Sequence, residues 1–174
     1  MKFKETSLMG AFIVDLDRIS DERGFFARSF CVDEMSGAGL ISDVVQCNLS
    51  FSKEKGTIRG MHYQQDPAPE TKLVRCTSGA IVDIIVDLRS DSPTFMQHVA
   101  VELTAENRQA LFVPRYFAHG FQTLQDNTEV MYLVSERYTP ASEAGLRHDD
   151  PALGLNWPLP VSALSDKDAN WPLI

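Results

Sequence analysis

Cysteine is scarce in this sequence: Cys31, Cys47 and Cys76 are the three among 174 residues. Their number is odd, and they lack the close spacing of a zinc or redox motif. A reduced, cytoplasmic chain is the expectation. Long apolar runs are also missing. None approaches the roughly 20 residues that a membrane-spanning helix needs. The opening "MKFKETSLMGAFIVDLD" has no apolar core followed by a small-residue cleavage site, so no secretory signal is expected. Basic residues are in deficit, with 16 Lys+Arg against 24 Asp+Glu and a net charge of −8. That disfavours non-specific binding to nucleic acid or to anionic membranes, which needs a basic surface. It leaves room for an anionic small ligand, because a few arginines make a local basic pocket on an acidic protein. Internal repeats, low-complexity tracts and linkers are absent too. One domain spanning 1–174 is expected, long enough to bury a substantial core.

What is present is a succession of short β-rich runs. "AFIVDLDRI", "DVVQCNLSFS", "FMQHVAVELT", "QALFVP", "HGFQTLQ" and "TEVMYLVSERY" alternate with turn signals, and "KLVRCTSGAIVDIIVDLR" holds two runs around Ser78-Gly79. In "AIVDIIVDLR", Val82, Ile84, Val86 and Leu88 share one face, and Asp83, Ile85 and Asp87 the other. Many strands with few helical patterns predict an all-β fold, a closed or double-sheet jelly roll. Two short helices are predicted, near "VDEMSGAGL" and near "SALSDKDAN", the second with Ser162 or Ser165 as N-cap. Pro151, Pro158, Pro160 and Pro172 mark the final segment as a wrapping tail.

Several polar residues are out of place in a core. In "TIRGMHYQ", Arg59 and His62 stand together, and Lys72 begins the next strand. His62 reads as a base, a metal ligand or a structural histidine. Jelly-roll metal sites use an H-x-H pair, and the position two after His62 is Gln64, an amide that seldom ligates a transition metal. Metal binding is therefore disfavoured, with His119 the other imidazole available. A base, a cation and a phenol are the parts that move a proton next to a carbonyl. Tyr132 and Tyr138 are six residues apart and would share a side of one continuous strand. Arg23 and Arg59 each read as a turn arginine beside core residues or as part of a diphosphate clamp. Gln46 and Asn48 share a strand face and offer both donors and acceptors. His119 and Phe121 share a face of their strand. Arg89 reads as a strand-end salt-bridge residue.

"DERGFF", "QCNLSFSKEKGTIRGMHYQ", "KLV", "GAIVDIIVDLRSDSPTF", "VPRYFAHGFQTL", "YLVSERYTPASEAG", "DDPALGLNWP" and "LSDKD" occur in this order. Together they closely resemble the dTDP-4-dehydrorhamnose 3,5-epimerase family of sugar-nucleotide epimerases, from about Asp21 to Asp168. The resemblance implies a cupin-type jelly roll without metal or other cofactor, and a homodimer that exchanges N-terminal strand material. It implies a nucleoside-diphosphate 4-keto-6-deoxy sugar as substrate, inverted at C3 and C5. On this resemblance His62 is the base, Asp168 its carboxylate partner, Tyr132 the acid, and Lys72 the cation near the C4 oxygen. Arg23 and Arg59 hold phosphates. Gln46, Asn48, His119, Glu143 and Lys167 are further substrate contacts, and Tyr138 lies near the nucleotide.

Two positions depart from the family pattern. Arg28 stands where an acidic residue is usual, which either changes a nucleotide contact or is a surface replacement. Met61 replaces a leucine at similar volume. The rival functions are a C3-only epimerase, a metal-dependent cupin and a non-catalytic sugar-nucleotide binder. One structural consequence follows from parity. Arg59 and His62 are an odd number of residues apart, so facing one pocket together requires a bulge or strand end near Gly60.

Overall fold

The alternation in "AIVDIIVDLR" is realised as a strand whose two faces enter different layers. Ile81 and Ile85 join a core between two sheets, while Ile84 and Val86 pack outward beneath the C-terminal segment. The computed structural model describes all 174 residues. In chain order it contains β1 (Lys2–Glu5), β2 (Phe12–Asp15), β3 (Ile19–Asp21), β4 (Gly24–Phe26), α1 (Val32–Gly37), β5 (Gln46–Ser52) and β6 (Ile58–Gln64). β7 (Lys72–Ser78), β8 (Ala80–Asp87), β9 (His98–Thr104), β10 (Ala110–Val113), β11 (Phe117–Thr123), β12 (Thr128–Val134), β13 (Glu143–Gly145) and α2 (Asp166–Ala169) follow.

A six-stranded sheet, β1-β2-β10-β7-β12-β5, faces a five-stranded one, β13-β6-β11-β8-β9, and β3–β4 form a separate hairpin. The fold is the all-β, cupin-type jelly roll expected from the sequence. Both predicted helices form, and Ser165 is the N-cap of α2, its Oγ accepting from Asp168 N at 3.1 Å. β1, β4 and β13 were not foreseen, being strands of four, three and three residues without a full period to read. "AFIVDLDRI" divides into β2 and β3. One strand prediction is corrected. β12 ends at Val134, so Tyr138 does not continue the strand that carries Tyr132.

Inward residues of both sheets, among them Val74, Cys76, Leu111, Ile81, Leu103 and Phe117, fill one half of the interior. On the outer faces, α1 buries Met35 against Leu73, Ala110 and Phe112 of the larger sheet. The tail packs Leu146, Leu153 and Trp157 over Met61, Ile84 and Ala118 of the smaller one. The other half of the interior, between β5–β12–β7 and β6–β11, stays open as a cleft.

Candidate active site

Period two explains which side chains enter the cleft. On β7, Lys72 shares parity with the core residues Val74 and Cys76 and so points inward. On β12, Tyr132 shares parity with buried Val130 and Val134, and its register partner on β5 is Asn48. Gln46 and Asn48 sit on the half-buried side of β5, while Cys47, Leu49 and Phe51 are exposed on the other. On β11, His119 and Phe121 face the cleft as expected.

β6 would fail this test without an irregularity. It pairs His62 with His119 and Arg59 with Phe121, so Gly60 and Met61 oppose the single residue Gly120. This is the bulge that parity required. It lets Arg59 and His62 line the same cavity while Met61 between them is buried in the outer layer. Gly60 has φ +125°, and a Cβ there would lie 2.5 Å from Gly120 Cα and 2.7 Å from the His119 carbonyl oxygen. Both the backbone angle and the close approach require glycine.

The cleft has two arms. One, of about 680 Å³, is lined by Ser50, Arg59, His119, Phe121 and Ser165, with Phe51 at its rim. The other, of about 450 Å³, is lined by Gln46, Asn48, Glu70, Tyr138 and Glu143. His62, Lys72, Tyr132 and Lys167 border both.

At their junction, His62 Nε2 lies 2.6 Å from Asp168 Oδ1, and Gly60 N donates to Asp168 Oδ2 at 3.2 Å. Burial alone would push the Asp168 carboxyl up. The hydrogen bond and charge of His62, with the Gly60 and Ser165 contacts, bring it below its ordinary value instead. An ionised carboxylate only accepts, so Nε2 carries the proton and Nδ1 keeps the free lone pair. Lys72 Nζ is 3.2 Å from Glu70 Oε1 and donates to the His62 carbonyl at 3.4 Å. Burial, then the charge of Glu70, raise the Tyr132 phenol above its ordinary value, against a smaller pull from Arg59. Tyr132 therefore stays protonated at neutral pH and serves as a donor.

The second arm is a braced polar wall. Lys167 Nζ donates to Glu143 Oε1 at 2.6 Å, and Tyr138 OH donates to Glu143 Oε2 at 3.1 Å. Gln46 Oε1 accepts from Tyr138 N at 2.8 Å, which returns Tyr138 to the cleft although it is off the strand. Gln64 is structural: Thr139 N donates to its Oε1 at 2.7 Å and its Nε2 donates to Ala68 O at 3.0 Å. No three His, Cys, Asp or Glu side chains are grouped so as to hold a metal ion.

A family model described as dTDP-4-dehydrorhamnose 3,5-epimerase matches residues 5–174. The chain belongs to this epimerase family. It is 40% identical to a dTDP-4-dehydrorhamnose 3,5-epimerase of Sinorhizobium fredii, over 99% of this chain and 89% of that one. It superimposes with a TM-score of 0.96 on the Bacillus anthracis dTDP-4-dehydrorhamnose 3,5-epimerase solved with TDP and PPi bound. There the identity is 43% and the coverage 99% of both chains. It is also similar to a 3'-monoepimerase of Streptomyces bikiniensis solved with dTDP-quinovose. That pair has 34% identity and a TM-score of 0.89, with 97% of this chain and 85% of that one covered.

Within this epimerase-family chain, one expected site residue lies away from the cleft. Arg23 sits on the exposed β3–β4 hairpin, with its guanidinium 2.6 Å from Asp21 Oδ2. Arg28 also stays on the surface, where NH1 donates to Glu34 Oε1 at 2.8 Å and the N-terminal amine takes the other oxygen. Arg89 pairs with Asp87 at the end of β8, as read from the sequence. Three residues at the site were missed. Asp83, fully buried, accepts from His119 Nε2 at 2.6 Å, its other oxygen unpartnered. Its inward parity with Ile85 was the available signal. Glu70 beside Lys72 and Trp171 beside His62 carried none.

Proposed function

We infer that this protein inverts C3 and C5 of a dTDP-4-keto-6-deoxy-hexose, converting dTDP-4-dehydro-6-deoxyglucose to dTDP-4-dehydrorhamnose. The observation that carries this reading is the His62–Asp168 pair opening onto a cleft shared with Lys72 and Tyr132. The C4 ketone acidifies the hydrogens on C3 and C5, so no redox cofactor takes part. In a glucose-configured ring these two hydrogens are axial on one face, flanking C4, and one base serves both. His62 Nδ1 removes the proton, and Asp168 stabilises the imidazolium that forms. Lys72 stabilises the enolate oxygen, an interaction on the scale of several kcal/mol, roughly 3–4 when one such donor is removed. Tyr132 returns a proton to carbon from the opposite face, which inverts the centre.

Arg59 and Lys167 meet the diphosphate, and Gln46, Asn48, His119, Tyr138 and Glu143 hold the sugar and nucleotide. The whole chain acts as a single domain, and its place is the cytoplasm. It works as a homodimer. β5 is an edge strand whose outer face exposes Leu49 at 63% and Phe51 at 50%, and the β3–β4 hairpin exposes Ile19 at 72% and Phe26 at 68%. Apolar patches of this kind mark an interface. A second copy's hairpin seated on β5 would carry Arg23 to the cleft mouth, beside Phe51. Sedimentation should give twice the mass of one chain; a monomer at assay concentrations would remove Arg23 from the site.

The similarity to a 3'-monoepimerase favours a second reading, inversion at C3 alone. Turnover of the dTDP-4-keto substrate in D₂O separates the two. Deuterium should enter at both C3 and C5. Label at C3 alone would overturn the double inversion, and no label would overturn the epimerase reading.

A further inference from the structure

The carboxylate that partners His62 comes from an element that does not stand alone. α2 is a four-residue turn, far too short to be stable by itself in water. Asp168 must nonetheless keep hydrogen-bonding distance to His62 and Gly60. On the N-terminal side the segment is fastened by backbone: Ile58 N donates to Ala163 O at 3.0 Å, and Ser162 N to Gly56 O at 3.1 Å. On the other side stands Trp171, followed by Ile174, whose N donates to Asp150 Oδ2 at 2.8 Å.

The Trp171 ring lies directly over Gly145 of β13. A Cβ on Gly145 would sit 2.2 Å from Trp171 Cε2 and 2.5 Å from Nε1. The same ring meets His62 edge-on, with centroids 6.4 Å apart and planes at 68°. Trp171 Nε1 is buried without a partner. A hydrogen bond therefore does not place the ring; packing on the bare backbone of Gly145 does. Gly145 is also the register partner of His62 on β6. One contact thus ties the strand of the base to the segment that carries its carboxylate.

We propose that Trp171, seated on Gly145, is a positioning residue that latches Asp168 onto His62. The proposal rests on His62 being the base. Trp171→Ala is expected to lower kcat by about tenfold to a hundredfold, the scale of a roughly 1 Å misplacement. KM should change less than kcat, because Lys167 is the one assigned substrate contact on α2 and the others lie on other elements. Trp171→Phe keeps an aromatic ring beside Gly145 while giving up the N–H and part of the indole, so it should retain clearly more turnover than Trp171→Ala. Gly145→Ala should damage turnover when Trp171 is present and add nothing in the Trp171→Ala background, where the ring it displaces is gone.

A second readout is independent of turnover. The downfield imidazole proton that disappears in His62→Ala should also disappear in Trp171→Ala and persist in Trp171→Phe. Wild-type turnover in Trp171→Ala, equal losses in the Phe and Ala variants, or multiplying losses in the double variant would each overturn the latch. Inert wild-type protein would instead overturn the epimerase reading, and the proton signal would still report whether the latch exists.

Discussion

His62→Ala is expected to abolish deuterium exchange at both C3 and C5, with turnover lower by about 10²–10⁴-fold. Both losses come together because one base serves both carbons. The cleft offers His62 as the imidazole with a free Nδ1 beside Lys72 and Tyr132, its Nε2 being committed to Asp168. His119 lines the same cavity, also with its Nε2 committed, to Asp83. It is the one group that can mimic the base. Residual exchange in His62→Ala that vanishes in the double variant with His119→Ala would therefore assign part of the chemistry to the Asp83–His119 pair. Tyr132→Phe should behave differently. The enolate still forms at the face of the base, so label washes in while net inversion falls. Equal, near wild-type turnover in both variants would remove the assignment of base and acid.

Gly60→Ala has the next largest expected effect, on stability and activity together. Holding a side chain at this positive φ costs about 1–3 kcal/mol by itself. The contacts at 2.5 and 2.7 Å are with backbone atoms of β11, which have no rotamer to escape through. In a chain of this size each kcal/mol lowers Tm by about 2–4 °C. Activity should suffer beyond that, because the bulge at Gly60 and Met61 is what turns both Arg59 and His62 into the cleft, and Gly60 N also holds Asp168. Relaxing β6 to a regular register would send one of the pair to the outer layer. Melting measured beside kcat tests this. A variant that melts and turns over like the wild type would show that the bulge tolerates a side chain.

Parity made most of this legible beforehand. It separated Asp83 and Ile85 from Ile84 and Val86, put Gln46 with Asn48, and forced an irregularity between Arg59 and His62. Parity fails where strands stop. Tyr138 lies past the end of β12 and reaches the cleft through Gln46, a contact spanning 92 residues of sequence that no local pattern encodes. The Asp168–His62 pair is equally non-local, and only family resemblance suggested it. Trp171 and Glu70 gave no sign at all, since their neighbours in sequence are not their neighbours in space. Arg23 shows a different limit: its residue type suits a phosphate, while the single chain leaves it on an exposed hairpin.

The distance along the chain between His62 and Asp168, 106 residues, also orders events in time. Closing so long a loop is entropically costly, and non-local contacts form late in folding. His62 has no fixed place until β6 has paired with β11, and α2 has no surface to dock on until the two sheets enclose the cleft. Gln46, Asn48, Arg59 and Lys72 are all set by the strands before that. A folding molecule therefore completes the strand-borne part of the site first, and gains Asp168 and Lys167, which arrive together on α2, last.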